Sequence, residues 1–425
     1  MSIQSAAQRA KEASRVLLSE PAELRNRALQ AVRRALENNA EAVFAANTED
    51  LKRSEGEGLA LPLLKRLKFD APKLRRTLEG IQALEAMPDP LGRVLEKREL
   101  DENLVLSRRA CPIGVIGMIF ESRPDALVQM ASLCIKSGNA VLLKGGREAA
   151  ESNRLLGRII GEASVQAGLP AGWMHLAETR EDVAQMLSLS SYIDLLIPRG
   201  SNGFVAHIMK NSSIPVLGHA DGVCHLYIDT AADRDKALRI AVDAKMQYPA
   251  VCNAIETLLI HKEAAPKLLA PLQKALEAAG CRLRGCERTQ SYISIEAAAE
   301  EDWGAEYLDA ILALKVVDSL DEAIAHIHRY GSGHTEAIVT EDEAVAESFL
   351  NRVDAADVFH NCSTRFADGF VFGLGAEVGI STSKIHARGP VGVDGLLSFR
   401  WLLRGTGHVI ADYSEGKKSF THRNL

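Results

Sequence analysis

Pro112-Ile113-Gly114-Val115-Ile116-Gly117-Met118-Ile119-Phe120 is the stretch on which the reading of the fold turns. Its apolar residues do not alternate with polar ones, and the run is too short for an ordinary helix, so it reads as a strand buried on both faces. Outward from it, the pattern predicts a helix near 124–136, a strand over 140–144 and a helix near 148–167. Farther on come a strand over 192–197, the turn Gly200-Ser201-Asn202-Gly203 opening a helix, and strands over 214–217 and 225–228. The alternation then restarts, with helices near 231–246, 264–279 and 320–329 and strands near 254–261, 310–317 and 335–340. Strands that alternate with helices predict parallel, doubly wound sheets, and the restart predicts two such domains with a seam near residue 230. Upstream, residues 2 to about 54 are expected to be helical, with Val16, Leu17, Leu24, Ala28, Leu29 and Val32 at helical spacing. Pro21 suits a first helical turn there, and Gly56 and Gly58 end the pattern.

Bulk properties narrow the class. A chain of 425 residues exceeds one ordinary core and points to two or three domains. With 47% hydrophobic and 25% charged residues it is globular rather than disordered. A net charge of −6 gives no electrostatic reason to expect nucleic acid or an anionic membrane as partner. The local cluster Lys73, Arg75 and Arg76 reads as the solvated face of a helix. No signal-peptide core and no membrane-spanning run stands out, so the expected location is the cytoplasm. Seven scattered cysteines argue against a disulfide framework, and Cys281 and Cys286 are too far apart for a Cys-x-x-Cys pair. No metal site is expected.

The chemistry has three local candidates. Lys144 ends a strand and precedes Gly145, Gly146 and Arg147, so it can reach ribose or phosphate at the carboxyl edge of a sheet. Gly200 and Ser201 open a helix whose free N–H groups suit a phosphate. For either taken alone, an ordinary loop with a helix cap is the favoured reading. The Gly-x-Gly-x-x-Gly dinucleotide fingerprint is absent. Cys252, in Gln247-Tyr248-Pro249-Ala250-Val251-Cys252-Asn253-Ala254, sits where a helix gives way to an apolar run. A thiol there could attack a carbonyl, with nearby N–H groups holding the oxyanion; the alternative is a buried small hydrophobe.

Taken in order, these blocks resemble the aldehyde dehydrogenase superfamily over nearly the whole chain. Gly138 to Lys144 is similar to its cofactor-contacting strand, Gly200-Ser201 to its Gly-Ser turn, Cys252 to its nucleophile and Glu306 to the glutamate that holds the nicotinamide ribose. Within the superfamily, three blocks resemble the γ-glutamyl phosphate reductases of proline biosynthesis. They are Phe120-Glu121-Ser122-Arg123-Pro124-Asp125-Ala126, Gly218-His219-Ala220-Asp221-Gly222-Val223-Cys224-His225, and Gln247 to Asn253.

The resemblance implies two doubly wound α/β domains plus a small β oligomerisation flap. A cofactor domain is expected over 1–229, a catalytic domain over 230–394 and an oligomerisation segment over 395–425, with 97–110 joining the flap. It implies a homo-oligomer, with Trp401, Leu402 and Leu403 offering apolar surface to bury. A complex with a glutamate kinase is compatible with it. The implied reaction forms a thioester on Cys252 from an acyl phosphate, which hydride from NADPH then reduces. Arg147 stands where NAD-using members often carry an acid, so it suits a 2′-phosphate, unless it is a surface arginine at a helix start. The oxyanion is assigned to the Cys252 N–H and a donor near Ser122. His219 occupies the place of the water-activating glutamate of hydrolytic members, or is structural. Arg123, Lys384 and Arg388 are the expected anchors for a small anionic substrate, against the alternative of surface ion pairs. A hydrolytic aldehyde dehydrogenase and a non-catalytic scaffold are the competing readings.

Overall fold

A computed structural model describes residues 2–425 with the exception of Ser122, His219 and Ala220. The amphipathic N-terminal region forms three helices, Ile3–Leu17, Ala22–Asn38 and Ala40–Gly56. Pro21 caps the second and Asn39 lies between the second and third, so the helical run expected over 2–54 is divided at those two residues. Helices Leu61–Leu67 and Ala71–Ala86 follow, the latter capped by Asp70, whose side chain accepts from the Lys73 N–H.

Strands β1 (Val94–Asp101) and β2 (Leu104–Pro112) form an antiparallel pair turned at Asn103, which adopts φ 61°. The decisive apolar run then becomes β3 (Val115–Phe120), buried at every position. It is joined by β4 (Ala140–Lys144), β5 (Met174–Ala177) and β6 (Leu195–Arg199) in a parallel sheet of order β5-β4-β3-β6. Helix Pro124–Ser137 packs beside it and ends at Gly138 in the left-handed conformation, φ 70°, where a side chain would strain the turn. The strand expected over 214–217 shrinks to one bridge between Leu196 and Val216, next to Pro215, which has no N–H to extend a ladder.

A second parallel sheet contains β7 (Cys224–Ile228), β8 (Ile255–His261), β9 (Arg282–Gly285), β10 (Glu296–Ala297), β11 (Ile311–Val317), β12 (Thr335–Val339) and β13 (Asp357–His360). Its order is β10-β9-β11-β8-β7-β12-β13. The seam expected near residue 230 therefore falls earlier, because β7 pairs with β8 and β12 rather than with the first sheet. An apolar run announces a strand but not the sheet it joins. After β13 the chain returns: Ala376, Val378, Ala387, Val391, Val393 and Leu396 bury themselves in the same core as β3 and the N-terminal helices. The second core is built from residues between Cys224 and Val339.

The short pair β14 (Ile380–Ser381) and β15 (Gly389–Pro390) lies in this returning segment. β16 (Leu397–Arg404) and β17 (Arg423–Asn424) then complete an antiparallel sheet of order β16-β2-β1-β17, the flap expected from residues 97–110 and the C-terminal segment. On β16, Phe399, Trp401 and Leu403 project to one face and are exposed, while Leu402 is half-buried on the other. The Arg108 guanidinium lies 5.0 Å from the Phe399 ring and 5.7 Å from that of Trp401. Among the described residues, no helix is long and apolar enough to cross a membrane.

One buried carboxylate ties the N-terminal helices to the first sheet. Asp50 accepts from the N–H groups of Glu151 (3.1 Å) and Ser152 (2.8 Å), at the start of helix Ala150–Gln166 that follows β4. The helix lacks a cap from its own flanking residue, so Asp50 satisfies donors that would otherwise be stranded. Asp50→Ala should lower unfolding free energy by about 1–3 kcal/mol, read as an earlier midpoint in urea melts.

Candidate active site

Cys252 lies in the turn between helix Arg234–Met246 and β8, and its side chain is half-buried. The turn is pinned from the segment after β13. Asn253 donates from Nδ2 to the Ala367 carbonyl (2.9 Å), its own carbonyl accepts from Thr364 Oγ1 (2.6 Å), and its Oδ1 accepts from Arg365. Arg365 also donates from Nε to Gln247 Oε1 at 2.9 Å, closing the turn from its other end. Cys224 Sγ donates to the Cys252 carbonyl at 3.2 Å. Gly222 approaches so closely that a Cβ there would lie 2.3 Å from the Cys252 carbonyl oxygen and 2.6 Å from its Cβ. Only glycine fits at 222.

Glu306 stands beside this turn. Its carboxylate accepts from Asn202 Nδ2 at 2.5 Å and from the Gly222 N–H, while Asn202 also donates to Asp221 at 2.7 Å. Burial raises the Glu306 carboxyl above its ordinary range, and those hydrogen bonds oppose the rise. Burial likewise pushes the Cys252 thiol up to about 11; Arg199 pulls it down, and Glu306 and Glu377 push it further up.

The cofactor candidates occupy the carboxyl edge of the first sheet. Lys144 ends β4, buried, with Nζ donating to the Gly145 carbonyl at 2.5 Å. Arg147 is 81% exposed and is paired with Glu57 at 3.1 Å, an open position from which its guanidinium can swing. Gly200 follows β6, and Ser201 precedes helix Asn202–Asn211. There the Ser201 N–H donates to Glu121 Oε2 at 2.9 Å, so a carboxylate already meets one donor that the sequence assigns to a phosphate. Lys144, the Gly200-Ser201 turn and a Glu306 held at two points fit the demands of a dinucleotide, a polyanion with two riboses.

The expected substrate anchors separate. Arg123 pairs with Asp125 at 2.7 Å and feels the charge of Glu377. Lys73 is half-buried near Asp125 and Arg123, while Arg75 and Arg76 are exposed, so only part of that basic cluster is a solvated face. Lys384 and Arg388 show the surface pairing that was the alternative to a role as anchors. Both pair with Asp354 at an exposed edge, where their charges are spent on that carboxylate rather than on the thiol. Ser122 and His219 lie outside the described residues. Among the described residues, no cluster of His, Cys, Asp and Glu could hold a metal ion.

Sequence reasoning misses Arg199, Arg365, Glu377 and Asn202. Arg199 ends β6, and its guanidinium lies over Gly379, where a Cβ would come within 1.9 Å of Nη1. Glu377, two residues earlier, accepts from the Gly369 N–H at 2.8 Å, and burial raises its carboxyl. The one available signal was that Arg199 directly precedes Gly200.

The aldehyde dehydrogenase family model matches residues 1–284. The chain belongs to the aldehyde dehydrogenase family. It is 57% identical over its full length to a γ-glutamyl phosphate reductase from Pelotomaculum thermopropionicum, spanning 98% of that relative. It is 56% identical to one from Acetivibrio thermocellus, again over the whole chain and 99% of the relative. A crystal structure of γ-glutamyl phosphate reductase from Thermotoga maritima matches with a TM-score of 0.94 at 37% identity, covering 96% of this chain and 100% of that one. The chain is thus an enzyme of a family that works with a nicotinamide cofactor.

Only the thiolate is alkylated, so the rate climbs with pH until the thiol has ionised. In the ligand-free enzyme, the iodoacetamide rate at Cys252 should still be rising at pH 9, beyond the point where an ordinary cysteine (about 8.5) is half-ionised. Glu306→Gln removes a nearby negative charge and should shift that curve to lower pH. Mass spectrometry of the modified peptide checks both.

Proposed function

We propose that this chain reduces γ-glutamyl phosphate to glutamate γ-semialdehyde and phosphate, with NADPH as hydride donor, as a cytoplasmic step of proline biosynthesis. The observation that carries the reading is the Cys252 thiol, held at a pinned turn between the first sheet and Glu306, in a chain whose full-length relatives bear that reductase name. In the first half-reaction, the Cys252 sulfur attacks the acyl carbon, the bond to the phosphate oxygen breaks, and phosphate leaves with the electron pair. A thioester remains on Cys252, with its oxyanion stage held by the Cys252 N–H and a donor near Ser122. A bound dinucleotide supplies the hydride that reduces this thioester. The carbon–sulfur bond then breaks and the thiol is restored.

Lys144, Arg147, Gly200, Ser201 and Glu306 would hold the dinucleotide, with Arg147 reaching a 2′-phosphate. Arg123 is the retained candidate for a substrate anion. His219, in place of a water-activating carboxylate, suits an intermediate that must meet phosphate rather than water. The exposed Phe399, Trp401 and Leu403 face would be covered in a homo-oligomer, and an association with a glutamate kinase would shorten the path of a labile acyl phosphate.

In the reverse direction, the enzyme should reduce NADP with glutamate γ-semialdehyde only when inorganic phosphate is present. Cys252→Ala should lower that rate by at least about 10³-fold. Turnover without phosphate, with release of the free acid, would replace this reading by a hydrolytic one. Arg147→Glu should cut the ratio of kcat/KM for NADPH over NADH by about 10-fold or more, measured by absorbance at saturating aldehyde and phosphate.

A further inference from the structure

A guanidinium carries five N–H donors and no acceptor, and sheltering it from water without a partner is unfavourable. Among the described residues, nearly every arginine drawn into the interior has an acceptor: Arg25 has Asp89 and the Lys136 carbonyl, Arg123 has Asp125, and Arg365 has Gln247 and Asn253. Arg109, on β2 of the flap, lacks one, and so does Arg199, which the field of the Cys252 thiol reaches. Arg199 is half-buried at the carboxyl end of β6, and among the described residues its guanidinium donates no hydrogen bond and forms no salt bridge. Glu377 is close enough for the two charges to act on each other, but it is occupied by the Gly369 N–H.

The fold makes room for this arrangement. Gly379, at φ 143°, leaves open the volume that Arg199 Nη1 fills, and the Gly379 carbonyl is fixed by the Val391 N–H at 2.7 Å. A side chain at 379 would both strain the backbone and displace the guanidinium. The thiol of Cys252 lies within its field, as does that of the second cation, Arg365, which is itself locked to the residue after the nucleophile.

We propose that Arg199, assisted by Arg365, forms the subsite that holds the phosphoryl group of the substrate and receives it as it leaves. This rests on the acyl-phosphate reading given above. The phosphoryl group is joined through one oxygen to the carbon that the sulfur attacks, so it must lie beside the thiol, whereas the α-carboxylate sits at the far end of the glutamyl chain. When the carbon–oxygen bond breaks, its electron pair stays on phosphate, whose charge rises as the sulfur's charge is consumed. A forked donor near both positions stabilises that transfer, and Arg is the side chain whose geometry matches phosphate oxygens.

Initial rates of the reverse reaction test this, with inorganic phosphate, NADP and glutamate γ-semialdehyde varied in turn. Arg199→Gln should raise the KM for phosphate by at least about 10-fold, the loss expected for a charge-assisted hydrogen bond, and Arg199→Lys should recover part of it. The KM values for dinucleotide and aldehyde should stay within about twofold. An unchanged phosphate KM overturns the proposal. So does a loss that falls on the dinucleotide, which would make Arg199 a cofactor contact, or on the aldehyde, which would make it a carboxylate contact.

A second readout needs no turnover. Inorganic phosphate should slow iodoacetamide modification of Cys252 in the wild type and have no effect in Arg199→Gln of unchanged circular dichroism. If that variant does not fold, Arg199→Lys should show weakened protection in its place. Absence of protection in a wild type that turns over with phosphate overturns the subsite. A wild type without phosphate-dependent turnover, yet still protected, overturns the reaction reading and leaves the anion site standing.

Discussion

The absence of a side chain at Gly222 is the constraint from which the site is built. Its backbone lies against the carbonyl and Cβ of Cys252, and its N–H holds Glu306. One short piece of main chain therefore sets the Cys252 thiol and the Glu306 carboxylate relative to each other. Neither group depends on a flexible side chain to find the other. Asn202 adds a third point, because it reaches Glu306 from the helix that follows β6. Through this contact the segment after β6 is tied to the segment before β11.

Electrostatics keep that thiol quiet until it is needed. Burial and two carboxylates hold it protonated in the resting enzyme, and Arg199 works against them. A protonated thiol is a poor target for oxidants and stray electrophiles. The balance is close to home for a ligand, since an anion that occupied the arginines or a hydrogen bond that stabilised the carboxylates would change it without any movement of the backbone.

Much of the fold is legible in the sequence because buried parallel strands carry uninterrupted apolar runs. β4, β7, β8, β11 and β12 are read within a residue of their ends for that reason, while β3 begins three residues later than its apolar run. β5 (Met-His-Leu-Ala), β9 (Arg-Leu-Arg-Gly) and β13 (Asp-Val-Phe-His) lack such runs and are not read. Cys252, Lys144 and Glu306 are singled out because their surroundings resemble known blocks. Arg365 and Glu377 are not, since they come from a segment far along the chain that carries no motif. Lys384 and Arg388 illustrate the converse. Two basic residues near a turn look the same in sequence whether they face a ligand or an acid, and Asp354 lies outside the stretch being read.

The return of residues 376–396 to the first core means that the second α/β unit is an insertion, joined by two covalent crossings rather than one. A body tethered by a single strand can swivel about many axes. A body tethered by two is confined to the line through its tethers. Any opening between the units is then a one-dimensional rocking that spreads or closes the gap between β6 and Cys252 while leaving each sheet rigid. Cleaving either crossing would free the other rotations.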